Sequence, residues 1–228
     1  MNKILSIVIP VYNKYNFTKS CLKDLSQLPN DHEIIIVDDA SSDDTQKELK
    51  DFTEVIYHRN DKNTCNFSRS CNIGYSLATA NNVLFLNNDI RVKSDHSTWT
   101  QNLIKKCEFA IVGPTMGQLD NKFNFVQEAN RMLPGNSYLS GWCMASSKNN
   151  FNKLAVNRKP NEIWDEDIPF YFDDTNLAFE ARELNIPMEV IEVPVVHFGK
   201  TSSKELNIHK LYLDGKERFT KKWKKYLK

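Results

Sequence analysis

Residues 81–90 read NNVLFLNNDI, and this stretch decides the fold. Residues 83–86 are four consecutive apolar side chains, which suits a strand buried on both faces. The run then stops on Asn87, Asn88 and Asp89. Two amides and a carboxylate at the end of a hidden strand mark either an ordinary turn or the lip of a ligand site.

Working outward, the same sequence of events recurs. Residues 4–10 (ILSIVIP) form a buried run, followed by 13–28, where Phe17, Cys21, Leu25 and Leu28 recur at helical spacing behind Asn13 or Asn16 as N-cap. Residues 32–39 (HEIIIVDD), 54–58 (EVIYH), 82–88 and 109–114 (FAIVGP) read as further strands. Helical segments at 41–52 and 67–80 separate them. Alternating strand and helix with continuous Val/Ile/Leu runs predicts an α/β chain, with a mostly parallel central sheet flanked by helices and right-handed crossovers.

The pattern breaks after Pro114. Residues 115–165 predict an irregular insertion with a strand around 137–146 (SYLSGWCMAS). A helix at 173–185 and one strand at 188–197 (MEVIEVPVVH) follow. The final segment, 204–228, places Ile208, Leu211, Tyr212, Phe219, Trp223 and Tyr226 on one helical face, which Gly215 interrupts. We read one domain over 1–228, in three parts: 1–114, 115–200 and a basic amphipathic helical tail at 201–228.

Of 228 residues, 40% are hydrophobic and 26% charged, with a net charge of +1, so the body has no overall attraction for nucleic acid. Residues 216–228 hold seven Lys/Arg against one acid, Glu217. That tail fits peripheral contact with an anionic membrane face, or simple packing on its own domain. The first apolar run is too short to span a bilayer and lacks a small-residue cleavage site. Five cysteines without CxxC spacing argue against a zinc site or a disulfide framework. The expected location is therefore the cytoplasm, with the membrane's cytoplasmic face as the site of any tail contact.

In a doubly wound sheet, ligands sit beyond the carboxyl ends of the strands. Here those ends read PVYN, VDDASSDD, HRN and NND. Each alone is compatible with a turn. Together they offer an aromatic to stack on a base, a carboxylate for ribose or base N–H groups, and Asp89 for a divalent cation bridging phosphates. Neither GxGxxG nor GxxxxGK[ST] is present, which disfavours a dinucleotide dehydrogenase and a P-loop NTPase. Arg69 and Arg91 are the candidate phosphate partners, with a solvated helix position as the plain alternative for Arg69. No Gly-rich basic loop supports a sugar-phosphate nucleotidyltransferase.

Four pieces in order, SIVIPVYN, EIIIVDDASSDDT, NFSRSCNIGYSLA before VLFLNND, and FYFDDTNLAFEAREL, resemble the family 2 glycosyltransferases of GT-A fold. The resemblance implies a UDP- or dTDP-sugar donor, Mn²⁺ or Mg²⁺, and inverting transfer to a saccharide or lipid-linked glycan acceptor in glycan or polysaccharide synthesis. It makes 1–114 the donor half and 115–200 the acceptor half. Pro10, Tyr12, Asn13, Asp39, Arg69, Asn87, Asn88 and Asp89 would bind the nucleotide sugar. Asp89 and His197 would hold the metal, Asp174 would be the general base, and Trp142 and Asp173 would face the acceptor.

The chain departs from the family pattern in reading Asn87-Asn88-Asp89 for DxD, Asp173-Asp174 for ED, and Asn176 where many members carry Asp. The NND form occurs in members resembling rhamnosyltransferases, and QxxRW of processive synthases is absent. The alternative reading is a catalytically silent nucleotide-sugar-binding module. On residue chemistry alone, Asp173 and Asp174 also suit a helix start, His197 a structural role and Trp142 the core.

Overall fold

The computed structural model describes residues 2–50, 52–93, 99–155, 159–199 and 207–227. The first part of the chain alternates as expected: β1 (Leu5–Val11), α1 (Tyr15–Leu25), β2 (His32–Asp38), α2 (Thr45–Leu49), β3 (Val55–Arg59), α3 (Phe67–Leu77) and β4 (Asn82–Leu86). A short β5 (Ile90–Val92), α4 (Trp99–Cys107) and β6 (Ile111–Gly113) follow. Then come β7 (Met116–Leu119), β8 (Phe125–Ala129), β9 (Asn136–Leu139), β10 (Cys143–Ser147), α5 (Lys148–Leu154), α6 (Asp173–Glu183), β11 (Met188–Val190), β12 (Val195–His197) and α7 (Ile208–Lys222).

The main sheet has the order β11-β6-β10-β4-β1-β2-β3. β1 pairs in parallel with β2 and β4, β2 with β3, and β6 with β11; β10 alone runs antiparallel, between β4 and β6. Register aligns Val11 with Asp38 and Asp38 with Arg59, so strand ends fall in one row. Strand pleat explains the two cores. Leu5, Ile7, Ile9 and Val11 face Cys21, Leu22 and Leu25 of α1 and Leu103 of α4. Val8, Ile35 and Val37 face the other layer, with Cys71 and Tyr75 of α3, Phe151 of α5 and Leu177 of α6. Each such aliphatic side chain stabilises by about 2 kcal/mol when removed from water.

Three expectations change. The strand expected over 137–146 is two strands: β9 joins β7 and β8 in a small antiparallel sheet, while β10 joins the main sheet. The strand expected over 188–197 also divides: β11 pairs with β6, and β12 pairs with β5. Pro194 separates them; with no N–H to donate, it contributes only its carbonyl, to Lys93. Neither Asn13 nor Asn16 caps α1. Lys14 holds that position with φ 60°, and the Asn13 Oδ1 accepts the Ser42 N–H at 2.7 Å.

The tail folds back on its own domain. Phe219 and Trp223 are buried with Leu119, Phe123, Ile168, Phe172 and Phe179, and Tyr226 packs against them. The Trp223 indole N–H donates to Asn176 Oδ1 at 2.9 Å. Gly215 does not interrupt α7. A Cβ there would stand 2.6 Å from the Tyr171 carbonyl oxygen and 2.7 Å from that of Phe170, so glycine allows the helix to approach. Lys222 pairs with Asp165 and Glu180, and Lys225 with Glu183. Phe219 and Trp223 are thus spent inside the molecule, in line with the packing alternative, and part of the basic face is paired. The expected helix start at 204–206 lies outside the described residues. No helix among the described residues is long and apolar enough to cross a membrane.

Candidate active site

A cavity of about 1010 Å³ opens where the strands end. Pro10, Val11, Tyr12 and Asp39 line one end, Asn87, Asn88, Asp89 and His197 the middle, and Glu128, Tyr138, Trp142, Asp173, Asp174 and Tyr212 the other end. Backbone strain gathers at its margin. Asn13 and Lys14 follow Tyr12 with φ 54° and 60°; Ala40 follows Asp39 with φ 57°; Tyr171 and Phe172 precede Asp173 with φ 57° and 60°. Non-glycine residues in this region cost about 1 kcal/mol or more each and persist where packing enforces them, commonly at functional sites.

The two acids of VDD take different roles. Asp38 is fully buried, accepts the Ser41 N–H at 2.8 Å and the Tyr57 hydroxyl at 2.6 Å, and pairs with Arg59. It ties the end of β2 to β3 and to the loop that follows β2. Asp39 faces the cavity and accepts from Asn60 Nδ2 at 2.8 Å and from the Thr64 N–H and hydroxyl at 3.1 and 2.9 Å. Those donors fix its orientation.

The NND stretch divides in the same manner. Asn88 Nδ2 donates to Thr18 Oγ1 on α1 at 2.9 Å, anchoring the loop. The Asn87 N–H donates to the Trp142 carbonyl at 2.8 Å, tying β4 to the turn before β10. Asp89 Oδ1 lies 3.1 Å from His197 Nε2, and Asn87 Nδ2 lies 3.3 Å from the same nitrogen. Strand pairing produces this meeting, because His197 ends β12 opposite Ile90 of β5. The Trp142 indole stacks on the imidazole at 4.8 Å between centroids, 10° from parallel, and its Nε1–H donates to Thr115 Oγ1 at 3.0 Å. One indole face, expected to meet a sugar ring, is therefore occupied by His197.

The Asp89 carboxylate suits either Mn²⁺ or Mg²⁺, while the imidazole nitrogen suits Mn²⁺ better than the oxygen-seeking Mg²⁺; either would complete its shell from phosphate oxygens and water. No cluster of three His, Cys, Asp or Glu side chains able to hold a metal occurs among the described residues. The donor set thus fits a cation shared with a phosphorylated ligand better than a cation held by protein alone.

Asp173 and Asp174 open α6, as a helix-capping pair would, yet they line the cavity floor. Asp174 Oδ2 accepts the Gly141 N–H at 3.0 Å, and Oδ1 accepts the Thr175 N–H at 2.6 Å. Burial pushes Asp174 up to about 6; these hydrogen bonds oppose the rise, and the nearby Glu128 charge adds to it. Burial and then the Asp174 charge push Asp173 well above the usual carboxylate range. The two acids therefore titrate as a pair: burial and mutual repulsion both disfavour double ionisation, and their protons come off in separate steps.

Three sequence candidates lie elsewhere. Arg69 is exposed on α3 and outside the cavity lining, and Asn13 braces the loop after β2 instead of entering the cavity. Arg91 is held by Asp24, Nε to Oδ2 at 2.7 Å and Nη2 to Oδ1 at 3.2 Å. Among the described lining residues there is no Lys or Arg. Glu128 escaped the sequence reading, because no motif surrounds it; Tyr138 and Gly141, which fixes Asp174, stood in a quoted stretch, and Tyr212 on the tail's apolar face, without an assigned role at the site.

Solved structures with this architecture include the mannosyltransferase PcManGT from Pyrobaculum calidifontis in complex with GDP-Man and Mn²⁺ (TM-score 0.61, 13% identity, 84% of this chain and 55% of that one). TarS 1–349 from S. aureus (TM-score 0.62, 13% identity, 97% and 73%) and GalNAc-T7 with UDP, GalNAc and Mn²⁺ (TM-score 0.69, 13% identity, 85% and 43%) share it too. The fold is the GT-A fold of glycosyltransferases. The sequence profile of glycosyl transferase family 2 matches residues 6–170, and the chain belongs to that family. Glycosyltransferase GlyA of Streptococcus pneumoniae serotype 4 is 28% identical over 107 residues, 45% of this chain. The chain spans 15% of that protein's length and 55% of the PcManGT chain.

Proposed function

We propose that this chain transfers a sugar from a nucleotide-diphosphate sugar, with a UDP- or dTDP-sugar as first choice, to an acceptor hydroxyl with inversion. One observation carries the reading: a single cavity joins Tyr12 and Asp39, the Asp89–His197 pair, and an Asp174 carboxyl pushed up to about 6. Tyr12 and Asp39 bind the base and ribose. Asp89 and His197 would hold a divalent cation, which would supply positive charge for the leaving diphosphate, a need sharpened by the absence of Lys or Arg among the described lining residues.

Asp174 takes the acceptor proton as the hydroxyl attacks. A carboxylate with its pKa near working pH does this better than one at the ordinary value. The Gly141 and Thr175 N–H groups hold its oxygens in place. Asp173 stands beside it as the acid that burial and the Asp174 charge make harder to ionise. Inversion follows from a single displacement, since no carboxylate on the opposite face need act as nucleophile. Neighbours crystallised with GDP-Man and with UDP-GlcNAc support a nucleotide-sugar donor without choosing between bases.

The test is calorimetric titration with UDP, dTDP, GDP and CMP, each with Mn²⁺ and with chelator. Binding of one nucleotide that needs Mn²⁺ and disappears in Asp89→Ala is expected. Equal affinity with and without metal, in the wild type and in Asp89→Ala, would remove the assignment of Asp89.

A further inference from the structure

The reading above leaves the acceptor undefined, and the far end of the cavity narrows it. Residues from four separated parts of the chain meet there: Phe125 and Glu128 of β8, Tyr138 of β9, Tyr171 before α6, and Ile208, His209 and Tyr212 of α7. These are mostly aromatic. Tyr171 and Tyr212 meet edge to face at 5.9 Å, and Tyr212 lies 5.4 Å from Phe172, so the wall is braced from behind by the buried aromatic cluster. The Tyr138 ring packs close against Gly117, where a Cβ would stand 2.3 Å from its Cζ. Its hydroxyl makes no hydrogen bond to a described residue and stands in the field of Asp173, Asp174, Glu128 and Tyr212. Glu128 accepts the Ser140 hydroxyl at 2.5 Å, which aims its carboxylate along the wall.

Flat aromatic faces recognise the C–H face of a sugar ring, and isolated phenol and carboxylate groups recognise its hydroxyls. Carboxylates at this end, without Lys or Arg among the described lining residues, repel an acceptor that carries phosphate, uronate or sialate. We propose that β8, β9 and α7 form a subsite for a neutral sugar ring on the acceptor, with Tyr138 and Tyr212 as its specificity-determining residues and Glu128 as a hydroxyl partner. This rests on the transferase reading and extends it to Tyr171 and α7, beyond the span matched by the family profile.

The experiment uses the full chain, loaded with Mn²⁺ and whichever nucleoside diphosphate binds it, on a glycan array carrying neutral, phosphorylated, uronate-terminated and sialylated glycans. Tyr212→Ala and Tyr138→Phe run in parallel, with nucleotide affinity measured on each. The expected result is capture by neutral termini, weakened about tenfold in Tyr212→Ala and measurably in Tyr138→Phe, with nucleotide affinity retained. Preference for acidic glycans overturns the proposal. So does neutral binding that survives both substitutions, or no glycan binding by protein that still binds nucleotide. Loss of nucleotide binding in the wild type is a different failure and sinks the transferase reading itself.

Discussion

The pH dependence of transfer tests the assignment of Asp174 most directly. As general base it must be ionised, so activity follows its ionised fraction. Burial places it at about 6. A group at 6 is about 9% ionised at pH 5 and about 91% at pH 7, which predicts a roughly tenfold rise in kcat between them. At the ordinary Asp value the rise would be under about 10%. The sign is fixed by the cause: low polarity disfavours the charged form, so the rate is lost as pH falls through 6.

Glu128→Gln supplies the control. Removing that neighbouring negative charge lowers the Asp174 midpoint, so the acid limb moves to lower pH, while a limb set by another group stays in place. The assay is release of nucleoside diphosphate from a binding donor, measured at saturating acceptor over pH 4.5–8 at constant ionic strength. A rate that is flat from pH 5 to 7, or a limb unmoved in Glu128→Gln, refutes Asp174 as the base whose burial sets the profile.

Two further outcomes follow from the geometry. Trp142→Ala removes the stack that orients His197 and the bond to Thr115, so Mn²⁺-dependent nucleotide affinity should fall about tenfold while metal-free affinity stays unchanged, by calorimetry. Gly215→Ala drives a methyl against two carbonyl oxygens under α7, which should destabilise the fold by about 1–3 kcal/mol and lower the thermal midpoint; an unchanged midpoint would mean that α7 does not press on Phe170 and Tyr171.

The parallel half was legible because buried parallel strands are written as apolar runs closed by polar turns, as at residues 4–10 and 83–86. The small sheet was not. β8 (FVQEA) is largely exposed and β7 (MGQL) has no period, so neither carries a signal above that of a loop. Partnerships across the chain were equally silent. Nothing near Trp142 announces that its ring lies on His197, and nothing near Arg91 announces Asp24. Asp89, His197, Asp173 and Asp174 were named from motif positions, and the fold brings all four to one cavity. Arg69 was named on the same ground and lies outside it, because a helix position in a motif does not specify which way the side chain leaves.

The aromatic cluster that anchors α7 joins Leu119 and Phe123 to Phe219 and Trp223, about a hundred residues later. Contacts of such separation close late, because the intervening loop entropy must first be overcome. During synthesis β1 to β4 can pair, with Asp39 and Asp89 in place, long before the ribosome has released Trp223. The chain is thus expected to assemble the Asp39 and Asp89 end of the cavity before its aromatic wall. A ribosome stalled before the last helix would display a species with the first end formed and the α7 side of the cavity missing.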